Sequence, residues 1–158
     1  MKIEEYLTLS CTVIRDDISH KKQLMTLISE LACQGNKKLK PQNIFHALIE
    51  RERIGNTYMG HHIAIPHARI KSLKKPLMIL IKLNSSLSYG KNEEKADIIF
   101  SLLVPEEATD NHLSLLSQLA ELLRSEHYRE NLRKAENAEE LHAIAIGENI
   151  PIATAMES

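Results

Sequence analysis

His67 stands immediately after a proline in the stretch Gly60-His61-His62-Ile63-Ala64-Ile65-Pro66-His67-Ala68-Arg69-Ile70. An imidazole titrates nearer neutrality than any other side chain, so this residue is equipped to act as nucleophile, base or metal ligand. Ile63 to Ile65 is a short apolar run whose β-branched residues read as a strand. Pro66 has no amide proton and holds φ at about −65°, so the strand is expected to stop there. Ile65, just before a proline, is pushed into extended geometry. His67 is thereby delivered at a strand end on stiff backbone, which suits each of those jobs. The same spacing also fits a loop histidine without a role, and spacing alone leaves both readings open.

Two further groups are candidates to share a phosphoryl group with His67. Arg51, at the end of a predicted helix, offers a planar fork matched to phosphate oxygens. His112 falls in the first turn of another predicted helix, where free amides and the positive end of the dipole favour an anion. A phosphorylated side chain carries about −2 charge. At an effective dielectric of about 20, one cation about 4 Å away is worth about 4 kcal/mol per unit charge. One arginine can therefore decide whether a phosphohistidine forms readily. The plain alternatives are a solvated helix end for Arg51 and a capping side chain for His112. His61, His62 and His67 also admit a metal reading, that of a histidine-rich metal-binding regulator. Neighbours on a strand point to opposite faces, however, which sets His61 and His62 against sharing one ion with His67. His20, His46, His127 and His142 fall on predicted helices, away from any such site. Neither G-x-x-x-x-G-K-[ST] nor G-x-G-x-x-G occurs, and no paired-cysteine zinc spacing exists. No cofactor and no metal is expected.

The elements that must hold these residues are readable in part. Ser19 is an N-cap candidate for a helix whose apolar stripe is Leu24, Leu27, Ile28, Leu31 and Ala32, closed by Gly35. Pro41 opens a second helix with Ile44, Phe45, Leu48 and Ile49 inward, broken at Gly55-Asn56. Leu77 to Leu83 and Ile98 to Val104 are nearly continuous apolar runs, the pattern of strands covered on both faces. Ser85 to Lys95 reads as a polar connection with a small edge strand, and Pro105 ends the second run. Thr109, Asp110 and Asn111 are cap candidates for a long helix with Leu115, Leu116, Leu119, Leu122 and Leu123 inward. Asn137 with Glu140 resembles a capping box for a last helix holding Leu141, Ile144 and Ala145. Residues 3–14 show no firm period. Helices interleaved with buried strands predict a layered α/β domain.

Composition narrows the function classes. A chain of 158 residues is long enough for one domain with a real core. The net charge is −1 with no basic face, which argues against nucleic acid as partner. The N-terminal Met1-Lys2-Ile3-Glu4-Glu5 lacks the apolar core of a signal peptide. No run nears the roughly 18 apolar residues that span a membrane. Cys11 and Cys33 form no metal or redox motif, so a cytoplasmic protein with reduced, core-forming thiols is expected.

From Glu52 to Ala68 the spacing Glu-x6-Met-Gly-x2-Ile-Ala-Ile-Pro-His-Ala resembles the active-site signature of enzyme IIA proteins of the mannitol/fructose class. These belong to the bacterial phosphoenolpyruvate-dependent phosphotransferase system. The resemblance extends over Lys21–Gln34, Phe45–Thr57, Phe100–Pro105 and Asn111–Glu140, with its closest look to the nitrogen-regulatory IIA branch. It implies a single domain over 1–148 with a mixed β-sheet flanked by helices on both faces, followed by a C-terminal tail, 149–158. It places His67 on the phosphoryl-accepting histidine, with Nε2 as the reacting nitrogen. Arg51 falls on the phosphate-stabilising arginine and His112 on the second active-site histidine. The implied donor is an HPr-type phosphocarrier, and the implied role is regulation of partner proteins by phosphorylation state. A sugar-specific IIA passing phosphate to a IIB domain is the alternative within the class. Two departures stand out: Ala68 follows the histidine where glycine is common, and the bulky His61-His62 pair is expected to alter the rim of the site.

Overall fold

β5 (Leu77–Ser88) and β6 (Lys95–Pro105) are antiparallel neighbours at the centre of a mixed sheet. Consecutive residues 78–81 on β5 and 98–104 on β6 are buried. Successive strand side chains point to opposite faces, so both faces of the sheet are covered, as the continuous apolar runs predict. The computed structural model describes residues 2–147, so residue 148 and the expected C-terminal tail, 149–158, lie outside the described residues. β1 (Thr12–Arg15) runs parallel to β5 on one side. On the other side β6 pairs in parallel with β3 (Ile63–Ala64) and β4 (His67–Ile70), which lie end to end along it. β2 (Tyr58–Gly60) adds antiparallel to β3 and completes the order β1-β5-β6-β3-β2, with β4 beside β6.

Among the described residues five α-helices clothe this sheet: α1 (Lys21–Cys33), α2 (Pro41–Ile54), α3 (Asp110–Leu123), α4 (Glu126–Lys134) and α5 (Ala138–Ala145). The predicted stripe of α1 is buried throughout, and Pro41 occupies the first turn of α2. Thr109 caps α3 and Asn137 caps α5, each side-chain oxygen accepting the amide proton three residues on. The mixed, two-sided architecture agrees with the fold the sequence predicts.

Several local expectations are corrected. The N-cap of α1 is His20, not Ser19, and His20 therefore precedes the helix. Ser19 instead donates its amide and hydroxyl protons to Gln23 Oε1, which ties the segment entering the helix to its first turn. The polar connection is shorter than expected. Ser85 to Ser88 continue β5 past an irregularity between Lys82 and Leu87, because buried Leu87 pairs with Ala96 and anchors the extension. The remaining link, 89–94, contains no edge strand. The leucine-rich helix stops at Leu123, and a separate helix, α4, starts after Ser125, whose hydroxyl accepts the Tyr128 amide proton. Residues 3–14 hold two short 3-10 turns and the start of β1. Cys11 is buried, whereas Cys33 is only half-buried at the end of α1.

Candidate active site

The strand before Pro66 ends as expected, but His67 opens a second strand rather than closing the first. β3 stops at Ala64, the ladder is interrupted at Ile65-Pro66, and β4 resumes with His67 as its first residue. Pro66 explains the interruption, since it has no proton to give the ladder. Its carbonyl is nevertheless anchored, accepting from the Leu102 amide at 3.0 Å and from the Ser101 hydroxyl at 2.8 Å. The Ile65 amide donates to the Thr57 carbonyl at 3.0 Å. The backbone on both sides of the proline is therefore fixed, and the imidazole that follows is mounted rigidly.

His67 Nδ1 lies 2.7 Å from the Ile65 carbonyl oxygen. A carbonyl only accepts, so the proton sits on Nδ1 and Nε2 keeps its lone pair. Desolvation in the half-buried site pushes the His67 pKa below its ordinary value. The Ile65 hydrogen bond opposes that shift, the Arg51 charge adds to it, and Glu52 opposes it. The balance favours the neutral imidazole, with its lone pair on Nε2.

Arg51, His67 and His112 line one cleft of about 600 Å³ between the C-terminal turn of α2, the start of β4 and the first turn of α3. The fold thus brings together the three residues predicted from sequence. Arg51 is not a free helix end: its Nη1 donates to the Gly55 carbonyl at 2.8 Å, which holds the fork, and its other N–H groups meet no acceptor among the described residues. His112 is not the cap of its helix. Thr109 does that work, accepting the His112 amide proton at 3.2 Å. The His112 ring has a buried Nδ1 without a hydrogen-bond partner among the described residues.

Arg53 and Arg69 also line the cleft, against one carboxylate, Glu50. Three arginines facing one glutamate make the cleft suited to an anion. The sequence reading passes over Arg69, although a signal for it exists. The strand His67-Ala68-Arg69-Ile70 alternates, with Ala68 and Ile70 buried and Arg69 sharing the outward face of His67. Ala68, at the position where glycine is common, is buried within β4 without distortion of the ladder.

His61 and His62 are elsewhere. They form the β2–β3 turn with φ of 55° and 63° rather than lying on a strand, which corrects the opposite-faces expectation. They line a separate depression beside Asp97 and Arg133, so they do not shape the rim of the His67 cleft. Arg133 donates to the His61 carbonyl at 2.6 Å and pairs with Asp97 at 3.0 Å, which locks this turn onto α4. The three histidines of the metal reading therefore do not converge, and among the described residues no three His, Cys, Asp or Glu side chains cluster as a metal site requires.

A model of the family described as phosphoenolpyruvate-dependent sugar phosphotransferase system, EIIA 2, matches residues 5–146. The chain belongs to this family. A nitrogen regulatory protein of Pseudomonas aeruginosa is 33% identical over 147 residues, covering 92% of this chain and 96% of its own length. The crystal structure of the nitrogen regulatory protein IIA-Ntr from Neisseria meningitidis superposes with a TM-score of 0.80 at 32% identity, over 90% of this chain and 97% of that one. The mannitol IIA of Escherichia coli, at 19% identity, shares the fold with a TM-score of 0.69 over 89% of this chain and 96% of its own. The resemblance seen in the signature is borne out, and the EIIA type 2 chain is a phosphotransferase-type component of that system. No helix among the described residues is long and apolar enough to cross a membrane.

Proposed function

We propose that this EIIA type 2 protein is a cytoplasmic phosphorelay component of the nitrogen-regulatory phosphotransferase branch, accepting a phosphoryl group on His67 from the phosphohistidine of an HPr-type carrier. The observation that carries the reading is the His67 Nδ1 contact with the Ile65 carbonyl, which puts the ring proton on Nδ1 and the lone pair on Nε2, in a histidine that lines the same cleft as Arg51 and His112. In the transfer, a bond forms between Nε2 and phosphorus as the carrier's nitrogen–phosphorus bond breaks. The electron pair of the broken bond stays on the carrier's nitrogen. The Nδ1 proton does not move, and the phosphorylated ring keeps its N–H on the Ile65 oxygen. Arg51, His112 and the amides at the start of α3 supply charge stabilisation, since phosphoryl transfer rests on positioning and electrostatics. Phosphorylation state then selects the partner proteins.

The test is incubation with phosphoenolpyruvate, enzyme I and HPr-type carriers, followed by location of an acid-labile, base-stable phosphate. Label on His67 is expected, with its loss in His67→Ala and a folded variant by circular dichroism. Arg51→Ala and His112→Ala should slow acceptance about 10²- to 10³-fold, as when one charge-stabilising donor is removed. Undiminished labelling of His67→Ala on another histidine overturns the assignment. Rapid onward transfer to a fructose- or mannitol-type IIB decides for a sugar carrier instead.

A further inference from the structure

Behind the histidine lies a polar cluster drawn from three distant parts of the chain, Lys21, Glu52 with Thr57, and Tyr89. Glu52, next in sequence to Arg51, has a side chain only 7% exposed. Its Oε1 pairs with Lys21 Nζ at 2.8 Å and accepts the Thr57 amide proton at 3.2 Å. Its Oε2 accepts the Thr57 hydroxyl proton and lies 3.1 Å from the Tyr89 hydroxyl, which is also 2.7 Å from Thr57 Oγ1. Lys21 in turn donates to the Tyr89 carbonyl at 3.3 Å and lies 4.2 Å from the centre of the Tyr89 ring. Burial, with the Glu52 charge next, holds the Tyr89 phenol well above its ordinary range, so it remains a donor.

The cluster does not touch the cleft, but it controls the backbone that aims His67. Its fixed member, Thr57, accepts the Ile65 amide proton at 3.0 Å, and the Ile65 carbonyl accepts the His67 Nδ1 proton at 2.7 Å. The Ile65 amide points away from β6, so its bond to the Thr57 carbonyl carries the antiparallel β2–β3 pairing one residue past Tyr58–Ala64 and holds Ile65 from that side. We propose that Glu52, held by Lys21 and Tyr89, is the positioning residue of the site: it fixes Thr57, and through the Thr57 and Ile65 carbonyls it keeps the His67 ring oriented with its proton on Nδ1 and Nε2 bare. The inference rests on the reading of His67 as phosphoryl acceptor for its functional meaning, and on the geometry alone for the ring.

The readout is the His67 tautomer, taken from long-range proton–nitrogen spectra of ¹⁵N-labelled protein, beside thermal melts and single-turnover transfer from a phosphorylated HPr-type carrier. In the wild type Nδ1 carries the proton. Glu52→Gln removes the charge that holds Lys21 and half of the acceptor set, so the Nδ1–H population is expected to fall. Acceptance should slow about 10- to 100-fold, as when a supporting hydrogen bond is lost or a reacting group shifts by about 1 Å. Tyr89→Phe keeps the ring under Lys21 and loses only the hydroxyl, so a smaller shift in the same direction is expected, and it reads the same effect if Glu52→Gln does not fold. A wild-type tautomer ratio in either folded variant overturns the proposal, even with slowed transfer, because the cluster then serves stability alone. The ring measurement needs no phosphate, so a wild type that takes no label at His67 overturns the functional reading and leaves this test intact.

Discussion

As the proposed phosphoryl acceptor, His67 must be unprotonated to attack, and its surroundings lower its pKa below the ordinary 6.5, mainly by desolvation. Acceptance should therefore stay level as pH falls to about 6.5, where a free histidine is half protonated. It should decline only as pH falls further, through the lower folded value. The linkage has the same sign. Below about pH 6.5 the unfolded chain binds a proton that the folded site resists, so the unfolded state gains protons first and stability drops as pH falls. Once pH is below the folded value, both states are protonated and the loss levels off. Urea melts of wild type and His67→Gln across this window check it, because the difference between the two curves isolates one group among eight histidines. A difference curve that is flat through the window shows that the ring is not desolvated.

The first turn of α3 has to present His112 to the cleft, and the Thr109 hydroxyl is what ends its fraying. Thr109→Ala should cost about 1 kcal/mol of stability, the usual worth of an N-cap, and lower the melting temperature by about 2–4 °C in a chain of this size. Thr109→Ser retains the acceptor and should recover most of that loss, which calorimetry on the pair resolves. This cap was legible because a hydroxyl residue before an apolar stripe is a local signal. The stripes of α1, α2 and α3 and the continuous runs of β5 and β6 were legible for the same reason, since periodicity is carried by neighbours. The break between α3 and α4 was obscured, because Leu115, Leu119 and Leu123 set a strong rhythm while Ser125 is a single polar residue. β2 gave no signal, because Tyr58–Gly60 is held by pairing with β3 and not by any pattern of its own. At the site, Pro66 announced His67, and Arg51 and His112 rested on likeness to a known signature. The Lys21–Glu52–Thr57–Tyr89 cluster was invisible, since nothing local tells Glu52 that Lys21 and Tyr89 will meet it.

Taken as one body, the molecule is nearly neutral, at −1, yet its reactive cleft is rich in arginine. That contrast makes the cleft the place where a phosphoryl group changes the surface most. About −2 charge added on His67 would cancel the excess of positive charge that Arg51, Arg53 and Arg69 hold over Glu50. Ile54 and Leu113 line the same cleft while remaining 83% and 42% exposed, so a protein docked over His67 covers apolar surface and the phosphoryl group together. On the proposed reading, burying that apolar area would supply affinity in either state, whereas the charge on the ring would decide which partner tolerates the contact. Pull-downs with phosphorylated protein, unphosphorylated protein, His67→Ala and His67→Asp should then recover a partner outside sugar transport in a yield set by charge at position 67. His67→Ala should behave as the unphosphorylated form, and His67→Asp should move part of the way toward the phosphorylated one, because a single carboxylate carries half the charge. Ile54→Ser should lower the yield in both states alike, since it removes apolar area without touching the charge. Equal recovery across all four preparations, with Ile54→Ser still weakening capture, would show that docking at this face ignores the phosphoryl group.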